Sequence, residues 1–161
     1  MKRIILVTII ILFAITAYGQ VNKDDLAITQ SYFRKSKTEV VKENLKISDA
    51  QGQKFWPIYE AYEDKRGKLS NERAAIINDY LKQFNTLTEQ EAETLIMRTL
   101  SNDKSFTSLQ KSYVKKFASA VGGKNTAKFY QLETYLHELL RLSIQDEIPF
   151  IGELNKHKRK S

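Results

Sequence analysis

The chain contains no cysteine, and only two prolines, six glycines and two histidines among its 161 residues. Without cysteine there is no disulfide, no thiol nucleophile and no lipid-modified amino terminus. With only His137 and His157, and with Met1 as one of the two methionines, a transition-metal site lacks ligands. Glu133 and His137 stand four residues apart on a helical pattern and read as an exposed pair rather than two ligands. No Gly-x-Ser-x-Gly elbow is present, and Gly122-Gly123 lacks the Gly-Lys-Ser/Thr continuation of a phosphate loop. Carboxylates are scattered at salt-bridge spacing, as with Glu60 and Asp64 beside Lys65 and Arg66. These absences argue against an enzyme and against any cofactor.

Scarce proline and glycine leave long stretches free to be helical. Apolar residues recur at helical spacing almost throughout, and no stretch alternates for long enough to argue a strand. The pattern predicts a first helix from Asp25 to Asn44, with Leu26, Phe33, Val40 and Val41 inward. A second runs from Ser48 to Phe84 on the stripe Phe55, Tyr59, Tyr62, Arg66, Leu69, Arg73, Ile76 and Tyr80. These steps of four and three suit packing along a partner helix. A third runs from Thr88 to Val121 through Leu95, Phe106, Leu109, Tyr113 and Phe117, and Gly122-Gly123 end it. A fourth covers Asn125 to Glu147, and Pro149 stops it. Helices two and three would each reach about 50 Å at 1.5 Å per residue. The expected fold is all-α: an elongated antiparallel helical hairpin of four helices, bent where Pro57 interrupts the second.

Two helix starts carry the same device. Ser48 and Gln51 form a capping box, and forty residues on Thr88 and Glu91 repeat it. In each, the hydroxyl can accept from the amide three residues ahead while the longer side chain reaches back. A duplicated helix start explains the repeat as well as a duplicated domain does.

At the amino terminus, Lys2-Arg3 precede the apolar run Ile4 to Ala17, and Ala17-Tyr18-Gly19 offers small residues where a signal peptidase reads. Residues 1–19 are therefore expected to be a signal peptide cleaved near Gly19/Gln20, giving a periplasmic or secreted protein. About 14 apolar residues fall short of the roughly 20 a membrane span needs. The rest divides into one helical domain over 20–150 and a basic, flexible tail over 151–161. Losing Lys2 and Arg3 leaves 24 basic against 19 acidic residues. Such an excess favours acidic proteins or an anionic membrane surface, with at most peripheral membrane contact, and not nucleic acid, which an exported protein rarely meets.

Aromatics are the one abundance with functional promise: eight phenylalanines, eight tyrosines and one tryptophan, many beside lysine or arginine. Rings contribute apolar area and cations meet acidic stretches, a combination suited to flexible chains. Rings on a helix seam usually fill a core, and Phe55, Tyr59 and Tyr62 can be read that way. Arg66 and Arg73, however, occupy seam positions where a closed bundle would place leucine, so that part of the stripe reads as open. Phe55, Trp56, Tyr59, Tyr62, Arg66 and Arg73 are accordingly the candidate client- or partner-binding residues.

Ile47-Ser48-Asp49-Ala50-Gln51 and Leu87-Thr88-Glu89-Gln90-Glu91, in a cysteine-free exported helical chain, resemble the Leu-Thr-x-x-Gln motif of the Spy/CpxP family of periplasmic proteins. The block Phe55-Trp56-Pro57-Ile58-Tyr59 is similar to a subgroup described as sensors of extracytoplasmic-function sigma factors. The resemblance implies a cradle-shaped helical hairpin, commonly a homodimer, acting as an ATP-independent chaperone or as a modulator of a stress sensor. Its partners would be unfolded or stress-damaged envelope proteins, or the outer domain of an envelope sensor or anti-sigma factor. Metal-sensing relatives use histidines and methionines that this chain lacks.

Overall fold

The computed structural model describes residues 23–148. The expected signal segment over 1–19, the tail over 151–161 and the side chains of Leu26 and Phe33 lie outside what is described. Four helices follow in order: α1, Lys23–Asn44; α2, Asp49–Gln83; α3, Glu89–Val121; and α4, Gly123–Glu147. No strand occurs among the described residues. The all-α hairpin predicted from the spacing of apolar residues is the fold observed.

Both capping boxes form. Ser48 Oγ accepts from the Gln51 amide at 3.3 Å while Gln51 Oε1 accepts from the Ser48 amide at 3.0 Å. Thr88 and Glu91 repeat this at 3.3 and 2.9 Å. Each box satisfies two donors that a helix start otherwise leaves to water. The boxes differ in one respect. Gln51 also donates its Nε2 to the Val121 carbonyl at 3.4 Å, tying the start of α2 to the end of α3. Glu91 has no amide with which to do the same.

Helix α2 runs through Pro57 without a break. Pro57 and Gln53 are both exposed, so the Gln53 carbonyl, which proline cannot satisfy, belongs to a residue within reach of solvent. The reversal from α3 to α4 is tighter than the two-glycine pattern suggested, and α4 starts at Gly123 rather than Asn125. Gly122 makes the turn alone, at φ +80, a conformation that a Cβ would strain. Its amide donates to Ala118 O at 3.0 Å, and its carbonyl accepts from the Thr126 amide at 3.1 Å.

α2 and α3 pair antiparallel along their length, as Tyr113 Oη to Ala61 O near one end and Arg98 to Asp79 near the other indicate. α4 returns beside α3, where Tyr130 meets Gln110 and His137 meets Phe106. α1 lies against the first half of α2 and against α4, as the contacts of Arg34 with Asp64 and of Lys37 with Glu133 show. The core gathers at the end where all four helices meet: Val41, Leu45, Phe55, Tyr59, Tyr62, Tyr113, Phe117, Ala120, Val121 and Phe129. Toward the opposite tip it thins to Ile76, Leu95, Phe106 and a buried Asn102, whose amide donates to Leu69 O at 3.0 Å.

Candidate functional site

The predicted aromatic face is interior. Phe55 and Tyr59 are fully buried and Tyr62 is 1% exposed. Phe55 meets Phe117 at 5.3 Å and Phe129 at 5.6 Å between ring centres, and Tyr62 meets Tyr113 at 5.4 Å. Three helices each lay rings on one seam, and the α3 and α4 rings close over those of α2. The reading of Phe55, Tyr59 and Tyr62 as core packing therefore holds, and their place among the candidate binding residues is corrected: each ring is worth about 1.5–3 kcal/mol of burial.

Arg66 corrects the expectation for the basic part of the stripe. It is 4% exposed, because the charge that leucine would have avoided is matched inside. Its Nε donates to Glu133 Oε1 at 2.9 Å, and Tyr62 Oη donates to the same oxygen at 2.9 Å. Lys37, from α1, pairs with Glu63 at 2.6 Å and also with Glu133 Oε2. Two cations and two carboxylates thus form a charge-balanced cluster joining α1, α2 and α4. Burial alone would push the Glu133 carboxyl up, but the Lys37 and Arg66 charges outweigh it and hold it below its ordinary 4.5. Burial, and then the charge of Glu133, push the Tyr62 phenol far up, so it stays a donor.

Glu133 is not the exposed partner of His137 that the spacing implied. It is sealed in this cluster, while His137 is half-buried against the Phe106 ring, 5.0 Å away between ring centres. Burial, with Arg66 and Arg141 nearby, lowers the imidazole below its ordinary 6.5. No group of three or more potential metal ligands gathers among the described residues.

Arg73 is half-buried and engaged as well. Its Nη1 donates to Asp103 Oδ1 at 3.0 Å and to the Thr99 carbonyl at 3.3 Å, and Arg141 reaches the same Asp103 oxygen at 3.2 Å. The predicted opening at Arg66 and Arg73 is closed by carboxylates from α3 and α4. Lys37, Glu63 and Asp103 are not anticipated from the sequence, and Glu133 reads there as part of an exposed pair, although a seam arginine is itself a signal that a carboxylate lies opposite.

Of the six predicted binding residues, Trp56 lines an open groove. Its indole packs edge-on against Phe55 and Tyr59, and Lys42 Nζ sits 5.4 Å from the ring centre. The open groove, of about 480 Å³, runs past it between the end of α1 and the start of α2. Leu45 and Ile47 supply its aliphatic wall, and Lys42, Ser48 and Asp49 its polar rim. The cap residue Ser48 thus has a second role as groove lining, whereas Gln51 is spent on the cap and on Val121. At the second helix start a smaller groove, about 340 Å³, lies beside Thr88, Glu91 and Arg98.

Compared with protein families, curated proteins and solved structures, the chain matches none of them.

Proposed function

We propose that this protein is an exported, non-enzymatic binding module of the cell envelope, holding exposed segments of unfolded or stress-damaged proteins without nucleotide. The observation that carries this reading is the groove at Trp56. It joins an aromatic face, a cation and an aliphatic wall in one open concavity. Flexible segments with apolar and acidic side chains suit such a lining, and tryptophan is among the residues that dominate binding energy at protein surfaces. An open groove encloses little of its occupant, so binding is weak and exchange rapid.

Trp56 is the only tryptophan in the chain, so its fluorescence reports on the groove directly. Adding an unfolded client should shift the emission and, at low salt, the protein should suppress aggregation of that client. Trp56→Ala and Lys42→Ala should weaken suppression while leaving the fold intact. No suppression at several-fold excess, together with an unmoved emission spectrum, ends this reading. Affinity capture from envelope extract separates it from the regulatory alternative. Many substoichiometric clients support holding, whereas one stoichiometric sensor domain assigns the groove to a regulator.

A further inference from the structure

The charge over most of α3 and the first part of α4 is one-sided. Between Thr94 and Leu132 there are seven lysines and arginines and a single carboxylate, Asp103. That carboxylate is bound by Arg73 and Arg141. The outer face of α3, away from α2, carries Lys104, Lys111 and Lys115, all exposed. Successive steps of four and three along the helix put these lysines in line with Met97 and Leu100, and Ile96 lies beside that line. Ile96, Met97 and Leu100 are 57%, 58% and 56% exposed, an unusual cluster of large aliphatic side chains on a helix whose opposite face is fully packed. From Ile96 to Lys115 the stripe is about 28 Å long at 1.5 Å per residue.

We infer that the outer face of α3 docks on an anionic lipid surface, with Ile96, Met97 and Leu100 entering the headgroup boundary and Lys104, Lys111 and Lys115 meeting lipid phosphates. The composition selects this occupant over others. Lysines are depleted from protein interfaces, where arginine and aromatic anchors dominate, and this face carries three lysines and no ring. The lack of rings also removes the stacking that single-stranded nucleic acid requires. Compact ammonium groups spaced along one line, beside flexible aliphatic side chains, match a laterally uniform layer of phosphates over hydrocarbon. No described helix is long and apolar enough to cross a membrane, so the contact is with the surface.

The test uses the full chain, in the form an expressing cell leaves it, and vesicles of phosphatidylcholine with or without about a third phosphatidylglycerol. Binding to the anionic vesicles and its loss at high salt are expected, with little binding to the neutral ones. Each lysine near a charged surface is worth about fivefold, so Lys104→Ala, Lys111→Ala and Lys115→Ala together should weaken binding roughly a hundredfold. A control triple of equal charge, Lys35→Ala, Lys54→Ala and Lys68→Ala, removes exposed lysines of α1 and α2 and should cost far less. Leu100→Ser with Met97→Ser should weaken binding at unchanged charge. All the substituted positions are exposed, and unchanged circular dichroism verifies folding. Segments outside the described residues contribute equally to both triples, so the comparison isolates the face. Equal losses from the two triples, or no binding to anionic vesicles, overturn the inference. So does a dimer that depends on Met97 and Leu100 in a chain that ignores vesicles.

Discussion

Replacing Glu133 by glutamine tests whether the buried cluster is held by charge balance. The substitution keeps the shape and leaves an amide oxygen able to accept from Tyr62, but it removes one of the two negative charges. Lys37 and Arg66, with side chains 1% and 5% exposed, then lose the carboxylate they share. Breaking one side of a buried pair costs about 3–5 kcal/mol, because an uncompensated charge stays out of water. Against a total stability of roughly 5–15 kcal/mol this is a large fraction, and it should lower the melting temperature by roughly 10 °C. Adding Arg66→Met to Glu133→Gln removes a positive charge along with the negative one and leaves the Lys37–Glu63 pair intact, so the double variant should recover part of the loss. The same logic makes Arg66→Leu alone destabilising, although leucine suits a packing seam. The pH dependence follows from the depressed carboxyl. Glu133 titrates below its ordinary 4.5 in the folded chain, so its contribution is fully present above that value and disappears as pH falls through the folded value. The stability gap between wild type and Glu133→Gln should therefore close in acid. Urea unfolding at pH 7 and at decreasing pH measures both arms. A cost below about 1 kcal/mol, or a double variant worse than the single one, would refute charge balance as what holds the cluster.

Gly122→Ala should cost about 1–2 kcal/mol in thermal or urea unfolding, because φ is +80 at that position and the strain has no relief from packing. Gln51→Glu keeps the capping box but loses the donor to Val121 O, and should cost about 1 kcal/mol by the same assay. Thr88→Ala should cost a similar amount through its cap alone. His137 is held below its ordinary 6.5, so the unfolded chain binds the extra proton first and stability should decline as pH drops below that value. In His137→Gln that part of the pH slope should be absent.

Helix starts and stops were legible because their causes are local. A hydroxyl and a carbonyl oxygen three residues apart complete a capping box whatever the rest of the chain does, so Ser48 and Thr88 could be placed directly. Gly122 is nearly as local, since a positive φ excludes most other residues, yet one glycine rather than two proved enough to turn the chain. The rings at 55, 59 and 62 were visible as one face of a helix, and helical periodicity says which residues share a face. It does not say what covers that face.

Periodicity and composition by themselves determined four helices, their order and the caps of α2 and α3, since each depends on neighbours within a turn or two. Tertiary structure decided what the stripe is for. Arg66 meets Glu133 across 67 residues, and Lys37 meets Glu63 across 26. A charge on a seam is open or buried according to whether its counter-ion arrives from a distant helix. Desolvation makes an unpaired buried charge intolerable and a paired one stable, so Arg66 lies in the interior. Trp56, one position off the same stripe, is left at the edge of a groove.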